Sequence, residues 1–297
     1  WVVGSGFVVR SDGLILTNEH VVHGASRIRV VLPGGRSYRA RLRASDVRGD
    51  LAVLQIEAHD LPVAVLGDAS KLHQGQWALA LGNPYGLGGD GQAAMSVGII
   101  SAVNRSLPGL GGPEDRYYVG MIQTTAQISP GHSGGPLLNL DGEVIGINTA
   151  ISSRGRGSEH LGFALPISPA VRARIERLLR GEPVVYGYLG VWATTVPSRG
   201  DLRGLGHGAA VWKVEPDSPA DQAGLQPGDV ILRLNDVDVR DADHLVQLVG
   251  QSTPSETVGL EVLRGRRRIH LRAAIAQRRR SAARRRGGAW QGATVAD

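Results

Sequence analysis

Apolar residues along the first 166 positions come in short runs, broken by Gly, Pro or Asp-Gly pairs. Gly6-Phe7-Val8-Val9, then Asp12-Gly13, then Leu14-Ile15-Leu16-Thr17 predicts a hairpin, and Leu140-Asp141-Gly142-Glu143-Val144 predicts the turn of another. Many short strands at this spacing point to a barrel or sandwich, with enough chain for two small barrels. The period then lengthens. From Ser168 to Arg180, the positions of Val171, Ile175, Leu178 and Leu179 share one side of a helix. Ser168-Pro169 provides a cap followed by proline at the first helical position, and Gly181 stops it. Gly181-Glu182-Pro183 reads as a hinge between a first domain, 1–180, and a second, 184–276. The second is expected to hold strands near Ala209–Val214 and Val230–Leu234, with short helices near Pro219–Ala223 and Ala242–Val249. Residues 277–297, with Arg278–Arg280 and Arg284–Arg286, read as a disordered basic tail.

Composition narrows the chemistry. A chain of 297 residues suits two domains, each with its own core. It contains no cysteine, which excludes disulfides, thiolate catalysis and Cys-ligated zinc. No apolar run approaches the length of a membrane span. The opening Trp1-Val2-Val3-Gly4 reads as strand rather than signal peptide, and a removed leader would look the same as a cytosolic origin. The net charge of +6 is unevenly placed: from Arg264 onward eleven arginines meet a single acid, Asp297, so acids outnumber bases in the rest of the chain. The tail could meet an anionic surface by charge alone, yet Trp290 is its only aromatic, and a solvated end is the better reading.

Gly131-His132-Ser133-Gly134-Gly135-Pro136 is the most informative segment. Glycines flanking a serine let the backbone turn tightly enough to aim N–H groups, here those of Gly131 and Ser133, at a developing oxyanion. The segment also fits G-x-S-x-G, but that elbow demands strand–turn–helix, whereas Leu137–Leu140, Asp141-Gly142 and Val144–Ile147 form a hairpin. A base is available in Leu16-Thr17-Asn18-Glu19-His20-Val21-Val22, because imidazole accepts a proton near neutrality. His20 and His23 have the spacing of a metal pair, but no third ligand lies nearby and no cofactor is implied. Asp50, heading the apolar run Leu51-Ala52-Val53-Leu54, is placed to orient the imidazole; Asp46, Asp60 and Asp68 compete less well. Each residue alone has a bland reading as a turn or core residue. The order His20…Asp50…Ser133 is the chymotrypsin order, and all three contexts fit it. Gly86-Leu87-Gly88-Gly89-Asp90-Gly91 satisfies G-x-G-x-x-G but precedes a strand-like run, so it reads as a surface loop.

These motifs resemble the HtrA (Deg) family of serine proteases. Gly4–Val9, Leu16–Val22, Asp50–Leu54, Leu81-Gly82-Asn83-Pro84-Tyr85-Gly86, Gly131–Pro136, Gly146–Ala150 and Gly162–Pro166 all match its signatures. The resemblance implies a trypsin-like double β-barrel, ATP-independent hydrolysis of unfolded or mislocalised proteins, and a periplasmic or envelope location. It also implies cleavage after small aliphatic residues, in a pocket walled by Gln127, Ile128, Thr149, Ala150 and Ile151. The chain departs from the pattern at His132, usually Asn, at Thr125, usually Asp, and at Gln127, usually Ala. The second domain resembles the family's PDZ domain: Tyr186–Val191 matches its carboxylate-binding loop, and Ser218–Leu232 its most recognisable stretch. Tyr188, Leu189, Gly190 and Val191 would then hold peptide C-termini, and the segment Leu107–Tyr118, with Arg116, would relay between domains. A non-proteolytic holdase or PDZ adaptor is the alternative on the same scaffold. Family members carry a further strand and trimer-building aromatics before the Gly4-Ser5-Gly6 motif. The chain as given is therefore expected to have an open first barrel, with a trimeric full-length form.

Overall fold

The computed structural model describes residues 2–107, 116–149, 161–196 and 206–278. The expected tail, from 279 onward, lies outside them. The first sheet contains β1 (Phe7–Arg10), β2 (Leu14–Thr17), β3 (Ile28–Val31), β4 (Ser37–Asp46) and β5 (Leu51–Gln55), with a single helical turn, α1 (Glu19–Val22), after β2. Its strand order is β1-β2-β5-β4-β3. The Asp12-Gly13 hairpin forms as expected, pairing Phe7 with Leu16 and Val8 with Ile15, and Gly13 adopts φ +94°. β2 and β5 are the inner strands, which is why Leu14–Thr17 and Leu51–Leu54 are buried without alternation.

The second sheet contains β6 (Trp77–Gly82), β7 (Ala94–Arg105), β8 (Met121–Thr124), β9 (Pro136–Leu138), β10 (Val144–Thr149) and β11 (Gly162–Pro166). It closes into a barrel in the order β10-β11-β8-β7-β6-β9. Among the described residues, only this half of the double barrel is closed by strand pairing. In the first half, β4 bulges between Leu42 and Ala44, curling the sheet, while β1 and β3 take no second strand partner among the described residues.

Helix α2 (Pro169–Leu179) follows, its first turn capped by Ser168 Oγ, which accepts from the Val171 N–H at 3.3 Å. Val171, Ile175 and Leu178 pack into a core shared by both sheets, with Leu14, Leu16 and Val53 from one and Met121, Ile147 and Leu165 from the other. Burying each such side chain contributes roughly 1.5–3 kcal/mol. The two sheets are thereby held in fixed apposition, and the candidate site lies where they meet.

The remaining elements build a smaller unit. They are β12 (Gly187–Tyr188), β13 (Val191–Thr195), β14 (Ala209–Val214), α3 (Pro219–Gln222), β15 (Val230–Leu234), β16 (Val237–Asp238), α4 (Ala242–Gln251), β17 (Thr257–Arg264), β18 (Arg267–Ala274) and β19 (Ala276–Gln277). The main sheet runs β13-β14-β15-β17-β18, with β16 beside β15 and β12 paired to β19. Its core joins Leu189, Val211, Ile231, Leu245, Val258 and Leu260. Two tyrosines tie it to the first unit: Tyr117 donates to Asp243 Oδ1 at 2.8 Å, and Tyr186 donates to Asp46 Oδ2 at 2.6 Å.

Candidate active site

A five-residue turn, Asp46–Asp50, sets the acid. Asp46 Oδ1 accepts from the Gly49 N–H at 3.1 Å, and Asp50 itself sits at φ +53°, a left-handed conformation open to Asp at modest cost. The side chain is thereby turned back under α1, where Asp50 is 1% exposed. Its Oδ1 accepts from the His20 backbone N–H at 2.9 Å and its Oδ2 faces His20 Nδ1 at 2.7 Å. Asn18 locks the pair by donating to the Asp50 carbonyl at 3.0 Å. A carboxylate only accepts, so Nδ1 carries the proton and Nε2 keeps its lone pair for a substrate-side group.

Ser133 lies on the loop between β8 and β9, 4% exposed. Its carbonyl accepts from the Ser5 N–H at 2.8 Å, and the Ser5 carbonyl accepts from Thr17 Oγ1 at 2.7 Å. The next residue, Gly134, has φ +87°, and a Cβ there would stand 2.2 Å from Thr17 Oγ1 and 3.0 Å from the Asn18 N. Only glycine permits that approach. The serine loop is thus pressed against the end of β2, three residues before His20.

The backbone beside Ser133 forms a defined turn. The His132 N–H donates to the Ser129 carbonyl at 3.0 Å, with Pro130 second and Gly131, φ +101°, third, the pattern of a type II turn. The Pro130 carbonyl accepts from the Tyr85 N–H at 2.8 Å. In a trans peptide the C=O and N–H point opposite ways, so the Gly131 N–H is aimed away from Tyr85. Ser5 Oγ braces the turn by donating to the Gly131 carbonyl at 2.6 Å while accepting from the Asn83 N–H at 2.9 Å. His132 is buried, packs on Gly82, and takes the Ser129 N–H on Nδ1 at 3.3 Å. Burial lowers its pKa, keeping the ring neutral. In this chain the imidazole therefore serves the turn.

Several contacts in the site carry no sequence signal. Tyr118 donates to Asp50 Oδ2 at 3.0 Å, and burial holds its hydroxyl pKa above the usual range, so it remains a donor. Arg116 Nε stands 3.7 Å from Asp50 Oδ1 while its Nη2 pairs at 2.8 Å with Glu19, which also takes His23 Nδ1 at 2.5 Å. His23 is thus paired with Glu19 four residues earlier on α1.

The pocket residues are only partly gathered. Ile128 lies against Gly162, and Thr149 pairs with Phe163 across β10 and β11, so both border the start of β11. Gln127 is exposed and turns its amide to Ser129 Oγ at 3.4 Å. Ala150 and Ile151 lie outside the described residues, as do 108–115 of the expected relay.

In the smaller unit, Gly190 has φ +89° and packs on Ser218, where a Cβ would come within 2.2 Å. Its carbonyl accepts from the Glu215 N–H at 2.9 Å, and that of Leu189 from the Ala220 N–H at 2.8 Å. Tyr188 donates to Glu215, and burial together with that bond pushes its hydroxyl pKa up to about 12. Leu189 is buried in the core, whereas Val191 opens β13 beside a groove whose far wall is α4.

The chain is similar to known proteins over both of its units. Residues 4–147 match the trypsin-like peptidase domain model and residues 187–275 the PDZ domain model. Over 265 residues the chain is 43% identical to a probable periplasmic serine endoprotease DegP-like from a Marinomonas strain, covering 88% of this chain and 54% of that protein. It is 41% identical over 289 residues to the putative serine protease HhoA of a Synechocystis strain, covering 93% and 71%. Against the solved HtrA-type protease AlgW with tripeptide the TM-score is 0.79 at 37% identity, covering 93% and 89%. The chain spans about half the length of the DegP-like relatives it matches.

Proposed function

The chain belongs to the HtrA (Deg) family of serine proteases, and from that premise we propose that it is a serine endopeptidase acting through His20, Asp50 and Ser133. Ser133 Oγ attacks the scissile carbonyl as its proton passes to His20 Nε2, forming the C–O bond of a tetrahedral intermediate. Asp50 holds the imidazole and stabilises the imidazolium. The N–H groups of Gly131 and Ser133 take the oxyanion, each worth about a hundred- to a thousand-fold in rate. The C–N bond then breaks as His20 returns its proton to the leaving amine. Water, deprotonated by the same nitrogen, hydrolyses the acyl-enzyme and restores Ser133.

The observation that carries this reading is the 2.7 Å pairing of His20 Nδ1 with a carboxylate that is 1% exposed. A holdase or adaptor would have no use for that buried pair beside a glycine-braced serine, so the proteolytic reading is preferred. Substrates are unfolded or mislocalised proteins of the periplasm, the compartment named for the DegP-like relatives. The Tyr188–Val191 loop receives peptide C-termini, and the protein assembles as a trimer. Residues 1–180 form the protease domain and 184–276 the PDZ domain, joined at 181–183. Casein digestion by the wild type and by Ser133→Ala tests the assignment: loss of cleavage with an unchanged melting curve supports it, and equal cleavage overturns it.

A further inference from the structure

Val191 and Ala193 on β13 pack against the core of the smaller unit, so the alternation of the strand turns Trp192 to the opposite face. Val211 and Val214 face the same core from β14, and between them the register slips. Trp192 pairs with Lys213 and Ala193 with Val211, which leaves Trp212 as the extra residue of a bulge. The bulge sets two side chains, Trp212 and Lys213, opposite Trp192. The indole rings stand with centroids 5.7 Å apart at 54°, and Lys213 Nζ lies 5.7 Å from the Trp192 centroid. Both indoles stay more than half exposed, Trp192 at 52% and Trp212 at 58%. Side by side on one face of the sheet, they leave a continuous apolar surface that a further ring can cover.

β13 ends its sheet. It pairs with β14 along one edge, and no strand pairs with its other edge among the described residues. That open edge runs beside the cavity of about 100 Å³ lined by Leu189, Val191, Leu245 and Val249. A peptide whose C-terminus enters the Tyr188–Val191 loop adds to the edge as one more strand. Side chains alternate along a strand, so a last residue that enters the cavity sends the one before it to the other face of the sheet. Trp192 and Trp212 stand on that face. We propose that the Trp192–Trp212 pair is the subsite for the penultimate side chain of the bound peptide and selects an aromatic residue there. A ring can lie on the free indole surfaces in the offset or tilted geometry that aromatic pairs favour, whereas a penultimate lysine meets the like charge of Lys213. This inference rests on the peptide-binding reading of the Tyr188–Val191 loop.

The test uses the whole chain carrying Ser133→Ala, so that no peptide is cut. Short fluorescein-labelled peptides ending in a free-acid Val, and differing only in a penultimate Trp, Phe, Ala, Glu or Lys, are titrated by anisotropy. The Trp and Phe peptides should bind about tenfold tighter than the Ala peptide, the scale of one aromatic contact with the area it covers. Trp192→Ala and Trp212→Ala should each reduce that preference and leave the affinity for the Ala peptide within about twofold. Trp192→Phe should keep part of it. Moving the Phe one place upstream, to the groove side, should make binding insensitive to Trp192→Ala. Equal affinities for the Phe and Ala peptides, tighter binding of the Glu or Lys peptide, or a preference that survives both alanine variants would overturn the proposal. The peptide series on the parent chain decides even where a variant fails to fold. Absence of any penultimate preference, with a sedimentation coefficient lowered by Trp192→Ala, would assign the pair to an interface between copies of the chain and likewise overturn the proposal. Failure of every free-acid peptide to bind would sink the peptide-binding reading along with it, a result distinct from binding without aromatic preference.

Discussion

Replacing Tyr118 by phenylalanine deletes one oxygen from the back of the site and leaves the ring in place. That oxygen donates to Asp50 Oδ2 at 3.0 Å, the same atom that faces His20 Nδ1 at 2.7 Å. Asp50 would retain the His20 backbone N–H on Oδ1, so its orientation would loosen rather than fail. A hydrogen bond to a charged group is worth about 1.5–3 kcal/mol. Part of that is already present before reaction, so we assign about 1–2 kcal/mol to the transition state, or a five- to thirty-fold loss of kcat. The loss should be uniform from about pH 6 to 9, because the hydroxyl pKa is raised by burial and the donor does not titrate there. KM should change little, since Tyr118 touches Asp50 and not the substrate. Steady-state cleavage of a fluorogenic peptide, with the melting curve as a control for folding, measures all three expectations. A kcat within twofold of wild type, or a loss residing wholly in KM, would refute Tyr118 as a positioning residue.

Gly131→Ala should abolish detectable cleavage in the same assay, because φ is +101° and the added Cβ would meet the Asn83 carbonyl at 2.1 Å; comparable rates would show that this turn does not serve the reaction. His132 has a pKa lowered by burial, so its neutral-form stability is full above the unfolded value near 6.5 and declines as pH falls through the folded one. Melting temperatures from pH 8 to 4.5 should therefore fall more steeply for wild type than for His132→Asn, and parallel curves would count against the buried imidazole. Primary cleavage should follow Val, Ala, Ile or Thr in a digested unfolded protein analysed by mass spectrometry; a dominant Arg or Lys pattern would refute the pocket proposed around Ile128 and Thr149.

Local signals carried most of what could be read from the sequence. The Asp12-Gly13 hairpin, the Ser168-Pro169 cap and the strand at Val230–Leu234 depend on residues a few positions apart, and they occur where their chemistry places them. His20, Asp50 and Ser133 were recognisable because each stands in a short motif and their order is restrictive. The contacts that hold them were not, because they join distant segments without periodicity. Ser5 reaches Gly131 across 126 residues, Tyr118 reaches Asp50 across 68, and Tyr186 reaches Asp46 across 140. The hinge residues offered no hint that Arg48 would border a groove in the other domain. His132 shows a subtler limit. The chain position alone leaves open which way its ring turns, whereas packing on Gly82 turns it inward onto the Ser129 N–H.

The central claim is that Ser133 is a nucleophile activated by the His20–Asp50 pair. A fluorophosphonate probe followed by intact-mass analysis and peptide mapping tests it most directly, because the reagent reports an activated serine hydroxyl without needing a known substrate. The expected result is one adduct per chain, on Ser133, formed far more slowly in Asp50→Asn and absent in His20→Ala and Ser133→Ala. A folded wild-type protein that takes up no probe, or takes it up on another residue, would contradict the assignment.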